Sequence, residues 1–408
     1  MKKILISAYA CSPYQGSEPG VGWNFVKCLS KYHELHILTE SKFQKDIEKY
    51  FVAHPEEKKY FNFYFIEKNR HKKLRKIWPP SYYWFYRQWQ KKALTMALEL
   101  NAKYNFDIVH QLNMGGYREP GYLYKLNKPF VWGPVGGMCI SPWKLLPSMG
   151  FYGAVYYFSR NIINLWQMRF KRRVRKCAEK SDAIIVEYDY DGIKNIWNRE
   201  SVIMPEVGLI IHKQEITQCL RNENLKICWS GMHIPGKSLN LLLESLRIAA
   251  NRENIELHVI GAGECTKKWK LKAKLLNLKN IKWHGWVQKN EAINITKKCH
   301  IFCITSLSDG TPTVLLEALS SGLPVIALDH CGFSNVITEK CGVKIPVRSK
   351  KQVVSDFAKA IDFLFENDDI RVDLARGALL RAKDFAWDKK AETINAIYDS
   401  IIHKNETE

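Results

Sequence analysis

The sequence predicts an α/β protein built from two doubly wound, parallel-sheet domains, and three observations carry that reading. Short β-branched runs alternate with helical stretches, the alternation lapses once and restarts, and 408 residues are too many for one ordinary core. The first set of strands reads KILISAY (3–9), ELHILTE (34–40), FNFYFIE (61–67), DIVHQL (107–112), PFVWG (129–133) and DAIIVEY (182–188). Helical patterns fill GWNFVKCLSKYH (22–33) and the stretch from about 82 to 104. The second set reads LKICWSG (225–231), ELHVIGAG (256–263), IKWHGW (281–286), HIFCITS (300–306) and LPVIALD (323–329). Strands separated by helices imply parallel sheets covered on both faces. The lapse over 204–224 marks the junction, so domains are expected over 1–205 and 206–384, with an amphipathic helical segment over 385–408.

Composition narrows the class. Hydrophobic residues make up 46% and charged residues 25%, a globular profile. MKKILISAY starts like a secretory signal, but its apolar run is short and Cys11, Pro13 and Glu18 follow it, so it reads as a buried first strand. No segment approaches the ~18 apolar residues of a membrane span. The expected location is the cytoplasm, with attachment at the inner face of the plasma membrane left open. The 11 cysteines form no CxxC pair, and Cys299 and Cys303 sit in an apolar run. Reduced core cysteines and no metal site are expected.

The net charge of +21 favours anionic partners. Basic residues concentrate in KNRHKKLRKIWPPSYYWFYRQWQKK (68–92) and RFKRRVRK (169–176). The first stretch interleaves them with Trp78, Tyr82, Tyr83, Trp84, Phe85, Tyr86 and Trp89. Such a mixture fits an anionic membrane surface and fits stacking on nucleic-acid bases equally well. Solvated helix faces are the plainer alternative.

Ligands of open α/β sheets bind beyond the carboxyl ends of the strands, so the residues after each strand matter most. After HIFCITS comes LSDGTPTVLLEAL. Thr311 reads as a helix cap and Pro312 as the first helical residue. The amides of Thr313 and Val314 then form an anion site, and Gly310 allows close approach. Thr313 and Glu317 lie one turn apart on one face, with Asp309 before the corner. An ordinary surface helix, with Val314, Leu315, Ala318 and Leu319 inward, would show the same pattern.

Asp309, Glu317 and the following Gly322, Pro324 and Val325 tip that balance. The segment from Lys237 to Val325 resembles the retaining, two-domain glycosyltransferases of the family-4 type (glycosyl transferases group 1). The resemblance implies a GT-B fold, two Rossmann-like domains facing a central cleft. It implies that Glu317 binds the nucleotide ribose, that Asp309, shortened from the usual Glu, contacts donor-sugar hydroxyls, and that the helix amides hold the pyrophosphate. WSGMHIPGKSLNLLLESL (229–246), with Gly231, looks like the family's phosphate-binding strand-loop-helix, with Lys237 as its cation. Met232 stands where the family has Arg, which leaves His233 or another cation to substitute. Gly261 and Gly263 of GAGE and Trp286 of WHGWV fall where relatives contact the nucleotide and its base.

In the first half, SAYACSPYQGSEPGVGWNFV (7–26) reads as a loop with three glycines, Gly16, Gly20 and Gly22, between strand and helix. The resemblance places Gly16 and Ser17 near the donor and Glu18 near the acceptor. His110 follows a strand and could be catalytic or a satisfied core histidine. Arg118 and Glu119 could pair or meet the acceptor, as could Gly136 and Gly137. Where relatives carry a catalytic His after the strand matching PFVWG, this chain reads GPVGG.

The resulting expectation is a metal-independent, cofactor-free retaining transferase that moves a sugar from a nucleotide-diphosphate donor to a saccharide or polyprenyl-linked acceptor in bacterial surface polysaccharide synthesis. Its last helix would return to the first domain. No nucleic-acid partner is expected. A nucleic-acid-binding protein, and a nucleotide-sugar epimerase or hydrolase on the same fold, are the alternatives.

Overall fold

A computed structural model describes residues 1–69, 72–78, 81–188, 192–211 and 224–407. The chain forms two compact units: residues 1–138, 165–206 and 387–408, and residues 139–164 with 207–386.

The first unit carries seven parallel strands: β1 (Lys3–Ala8), β2 (Glu34–Glu40), β3 (Phe61–Ile66), β4 (Ile108–Asn113), β5 (Phe130–Val135), β6 (Ala183–Val186) and β7 (Val202–Ile203). Their order is β3-β2-β1-β4-β5-β6-β7. β1 and β5 are central and almost wholly buried, which is why KILISA and FVWGPV read as continuous apolar runs without alternation. The two-residue β7 gave no such run.

The terminal helix Trp387–Thr407 belongs to this unit. Trp387 packs edge-on against Phe25 at 5.2 Å, and Lys31 pairs with Asp388 at 2.5 Å.

The second unit has six parallel strands: β8 (Leu225–Ser230), β9 (Ile255–Ile260), β10 (Ile281–Gly285), β11 (Ile301–Ile304), β12 (Val325–Leu328) and β13 (Gly342–Ile345). The order is β10-β9-β8-β11-β12-β13, so the chain reverses direction across the sheet between β8 and β11. Helix Leu239–Ile248 buries Leu239, Leu241, Leu242, Leu243 and Leu246 against it. At about 2 kcal/mol for each fully buried leucine, this helix is a main anchor of the unit.

Two expectations change here. Residues 139–164, assigned above to the first domain, group with the second unit. Leu145, Leu146, Met149 and Tyr157 enter its core, and the Asn240 amide donates to the Ser148 carbonyl at 3.0 Å. The cysteines are not all reduced, because Cys139 and Cys331 form a disulfide within this unit. The ligand atoms of Cys139, His330 and Cys331 cluster, but disulfide sulfurs are not thiolate ligands. Of the junction over 204–224, residues 212–223 lie outside the described ones, as do Arg70, His71, Pro79 and Pro80 of the first basic stretch.

Only part of the basic charge is internal: Lys73, Arg75, Lys76, Lys91 and Lys92 are exposed, as are Arg169, Arg172, Arg175 and Lys176. Tyr86 and Trp89 are core residues, and Lys68 is buried, donating to the Tyr9 hydroxyl at 2.9 Å with its ammonium 3.8 Å from the Tyr82 ring centroid. Burial pushes Lys68 down to about 8, aided by Lys42 and Arg75. In the second stretch, Lys171 and Arg173 converge with Arg87 on the buried carboxylate of Glu119. Glu119 is therefore a hub holding helix Ser81–Tyr104 to helix Arg172–Glu179, not an acceptor contact. Arg118 does not pair with it; its Nε donates to Gln167 at 2.9 Å.

Removing one acid from beneath three cations leaves charge stranded in a low-dielectric site. Glu119→Gln is expected to lower unfolding free energy by about 2–3 kcal/mol in urea melts. An unchanged denaturation midpoint would refute the hub.

Candidate active site

In the second unit the site is built where β8, β9 and β10 end together. The Gly231 amide bonds the Ile260 carbonyl at 3.1 Å, and the Gly261 amide bonds the Gly285 carbonyl at 2.7 Å. Gly261 has φ +119°, and a Cβ there would lie 1.9 Å from the Gly231 carbonyl oxygen. A Cβ at Gly263 would lie 2.6 Å from the His233 carbonyl. The two GxG glycines therefore serve contact between loops, which a dinucleotide motif read from sequence does not reveal.

His233 cannot replace the missing Arg. It is buried between Trp229, Trp269 and Trp283, and burial, with Lys270 nearby, pushes it down to about 4. The Thr266 hydroxyl donates to the Gly263 carbonyl at 2.8 Å and accepts from the Gly263 amide. It also lies 2.8 Å from His233 Nδ1, while Nε2 is buried without a partner among the described residues. Met232 is exposed at the tip of the same loop.

Lys237 and Asp309 meet in an ion pair, both mostly buried. Their loops are stitched together: the Thr305 hydroxyl donates to the Lys237 carbonyl at 2.8 Å, and the Leu307 amide to the Gly236 carbonyl at 2.8 Å. The stem of Lys237 runs along Gly231, 3.7 Å from its would-be Cβ.

The helix after this corner is Thr313–Ser320, one residue later than expected, with Pro312 as its cap residue in extended conformation. Thr311 is not a cap; its hydroxyl is buried without a partner among the described residues. The reason is local: Gly332 packs so closely on Gly310 and Thr311 that a Cβ would lie 2.4 Å from the Gly310 carbonyl. Thr313 and Val314 still open the helix, where amides lack helical acceptors. Glu317, partly buried, pairs with Lys289 at 3.0 Å. Trp286, just past β10, is exposed over most of its surface.

Sequence reasoning missed three residues here. Arg160, from helix Gly150–Phe170, donates to the Ser308 hydroxyl beside Asp309. Tyr157, one turn earlier, sets its hydroxyl against Gly236. Lys289 opens helix Lys289–Lys297. Nothing in the spacing of 150–164 announces a contact with 308, so no local signal was available for the first two.

In the first unit, helix Glu18–Leu29 begins four residues earlier than expected, so Gly20 and Gly22 are helical and the loop is shorter. Gly16 and Ser17 are exposed, and Ser17 has φ 57° at the cap. His110 lies inside β4, fully buried, with Nε2 2.7 Å from the Gly133 carbonyl and Nδ1 2.6 Å from the Tyr398 hydroxyl. Burial pushes it down to about 4, and both nitrogens are used, so it is a core histidine rather than a catalytic one.

Around Gly115 and Gly136 stand carboxyl groups that follow strands β6 and β7: Glu187 and Glu206. A Cβ at Gly136 would lie 2.5 Å from the Glu187 carboxyl, and one at Gly115 3.1 Å from that of Glu206. Burial and the hydrogen bond with Glu187 hold Glu206 well above the carboxylate range. The buried Lys390 ammonium donates to the Pro205 carbonyl, and burial pushes it down to about 7. Glu18 joins this cluster: burial, then Glu206, pushes it up to about 7 against a hydrogen bond from the Gly115 amide. Glu187 follows DAIIV directly, and the rule of reading past each strand end finds it.

Comparison with known proteins fits this geometry. Residues 214–380 match the family model described as "Glycosyl transferases group 1". An uncharacterized glycosyltransferase of Methanocaldococcus jannaschii is 22% identical over 42% of this chain and 47% of its own length. The lipopolysaccharide 1,6-galactosyltransferase of Escherichia coli K12 is 35% identical over 23% of this chain and 26% of its own. The N,N'-diacetylbacillosaminyl-diphospho-undecaprenol alpha-1,3-N-acetylgalactosaminyltransferase of Campylobacter jejuni is 20% identical over 53% of this chain and 59% of its own. The chain thus spans less than two thirds of the length of these curated relatives. Among solved structures, the apo lipopolysaccharide outer core galactosyltransferase WaaB aligns with TM-score 0.67 at 16% identity, covering 98% of this chain and 99% of that one. The fold class is α/β of the GT-B type, with two Rossmann-like units.

The raised Glu18 gives a signed pH effect. Between about 4.5 and about 7 the folded chain keeps a proton that the unfolded chain releases, so stability falls as pH rises through that window. Glu18→Gln should flatten this fall and stabilise the protein at pH 8 by up to about 3 kcal/mol. Denaturant melts of both proteins at pH 5 and pH 8 measure it; parallel pH curves would place Glu18 in water.

Proposed function

We propose that this chain, whose residues 214–380 match the group 1 glycosyl transferase family model, transfers a sugar from a nucleotide-diphosphate donor with retention of configuration. The observation that carries the reading is the corner at 305–317: a Lys237–Asp309 pair, free helix amides and Glu317 within one unit.

The donor diphosphate lies at the opening of helix Thr313–Ser320, held by the Thr313 and Val314 amides and by Lys237. Arg160 reaches the same corner through Ser308 and takes the place of the Arg that Met232 displaces. Positive charge at this point stabilises the departing diphosphate more than the bound donor, which is how it accelerates transfer. Glu317 accepts from the ribose hydroxyls, Asp309 from donor-sugar hydroxyls, and Trp286 offers a face for the base. Side-chain cations meet the diphosphate charge, so transfer should persist in EDTA. In front-face transfer the leaving phosphate oxygen takes the acceptor proton. The Glu18, Glu187 and Glu206 cluster suits an acceptor saccharide, because carboxyl groups that keep a proton can both donate to and accept from sugar hydroxyls.

The relatives' names point to glycans of the bacterial surface, including a diphospho-undecaprenol-linked one, so we propose a saccharide or polyprenyl-linked acceptor and action at the cytoplasmic face of the membrane. Nucleic-acid binding is the second reading, and Lys68, Lys171 and Arg173, engaged inside the first unit, take no part in it. An epimerase or hydrolase would release product without an acceptor.

Two measurements test the site. Glu317→Gln should weaken UDP or UDP-sugar binding in calorimetry at least about tenfold, the cost of losing a charged hydrogen bond; unchanged affinity would sink the assignment. Arg160→Ala should weaken binding by a similar factor of about ten, and adding Met232→Arg should restore much of it. Arg160→Ala without effect would leave Lys237 as the sole cation.

A further inference from the structure

Helix Gly150–Phe170 is turned the wrong way for a helix in water. A surface helix of a globular protein points its apolar stripe inward and its polar face outward. Here Gly153, Tyr157 and Asn161 face inward. Gly153 sits where a Cβ would be 2.7 Å from Pro235, and the Asn161 amide exchanges hydrogen bonds with the Ser141 backbone at 2.8 and 2.9 Å. Outward point Phe151 (78% exposed), Tyr152 (87%), Val155, Tyr156 (63%), Ile162 and Ile163. Their spacing at three, four, seven and eight residues keeps them on one side through several turns. Phe158 extends the same side, its ring 5.4 Å from that of exposed Trp143. No helix among the described residues is long and apolar enough to cross a membrane.

The charge beside this face is mainly positive, with Glu264 an acid close enough to act on Tyr157. Residues 139–164 contain no acid. Helix Thr266–Leu275 comes close to the start of the apolar helix: Lys268 Nζ is 2.6 Å from where a Gly150 Cβ would be. Residues 266–283 hold seven lysines and no acid, and Lys267, Lys268, Lys270 and Lys274 are exposed.

We infer that the outward face of residues 150–163, with the lysines of 267–274, docks this unit on an anionic lipid bilayer. An apolar helix face carrying Phe and Tyr rings enters the headgroup boundary, and the adjacent lysines meet acidic headgroups. Charge complementarity selects this occupant. A second copy packed on the same face would bring lysine-rich helices together, which like-charge repulsion disfavours. The assignment does not depend on the transfer chemistry.

The test is co-sedimentation of the full chain with vesicles of phosphatidylglycerol and phosphatidylcholine, against phosphatidylcholine alone, with no glycan acceptor present. Binding should be at least about tenfold stronger on the anionic vesicles and should weaken with salt. The triple variant Phe151→Ser, Tyr156→Ser, Ile162→Ser and the double variant Lys267→Glu, Lys268→Glu should each lose about tenfold while keeping melting temperature and UDP binding. Should a variant fail to fold, hydrogen exchange on the wild type decides, with slowed exchange over 150–163 expected on anionic vesicles. Equal binding to both vesicles, no binding, or a doubled mass in light scattering that the serine variant abolishes would each overturn the proposal.

Discussion

The second unit is organised by a contact with no side chain in it. Gly261 touches the Gly231 carbonyl, so the loops leaving β8 and β9 run backbone against backbone. That approach buries His233 under three tryptophans, sets Gly263 on the His233 carbonyl and lays the stem of Lys237 along Gly231. Lys237 then has one direction in which to extend, and Asp309 is there because Thr305 and Leu307 tie the neighbouring loop down. A methyl group at position 261 would separate the loops and with them the cation and the acid.

The sheets were legible because their strands are buried on both faces and stand out as β-branched runs. β7 and β13 were not, being two and four residues long with exposed or charged members. The strand-to-helix corner that carries Asp309 and Glu317, and its nearness to Lys237, could be read because each lies past a strand end at a spacing that a helix start makes meaningful. His110 misled because a position near a strand end says nothing about Tyr398, 288 residues away, which takes its second nitrogen. Arg160 and Glu206 depend on tertiary contacts that no local pattern encodes. The disulfide between Cys139 and Cys331, 192 residues apart, is of the same kind.

The charge of +21 proved to be two populations. One is inside the first unit, where Lys68 lies against tyrosine rings and Lys171 and Arg173 crowd onto Glu119; these cations are structural and cost desolvation that their partners offset. The other is exposed, along residues 266–283 of the second unit and at Lys73, Arg75, Lys91, Arg172 and Arg175 of the first. Composition adds them together, and only burial separates them.

The Lys237–Asp309 pair has one more consequence. Before any donor arrives, the phosphate-seeking ammonium already has a counter-ion attached to its own chain, held at an effective concentration that small dissolved anions do not match. Chloride or a lone phosphate must compete with that tethered carboxylate one contact at a time. On the proposed function, a nucleotide diphosphate, bringing two phosphoryl groups and a ribose together, would displace Asp309 from Lys237 and give the freed carboxylate a sugar hydroxyl to accept. The acid would then serve as an internal gatekeeper, keeping the cation occupied until a ligand arrives that can satisfy both members of the pair.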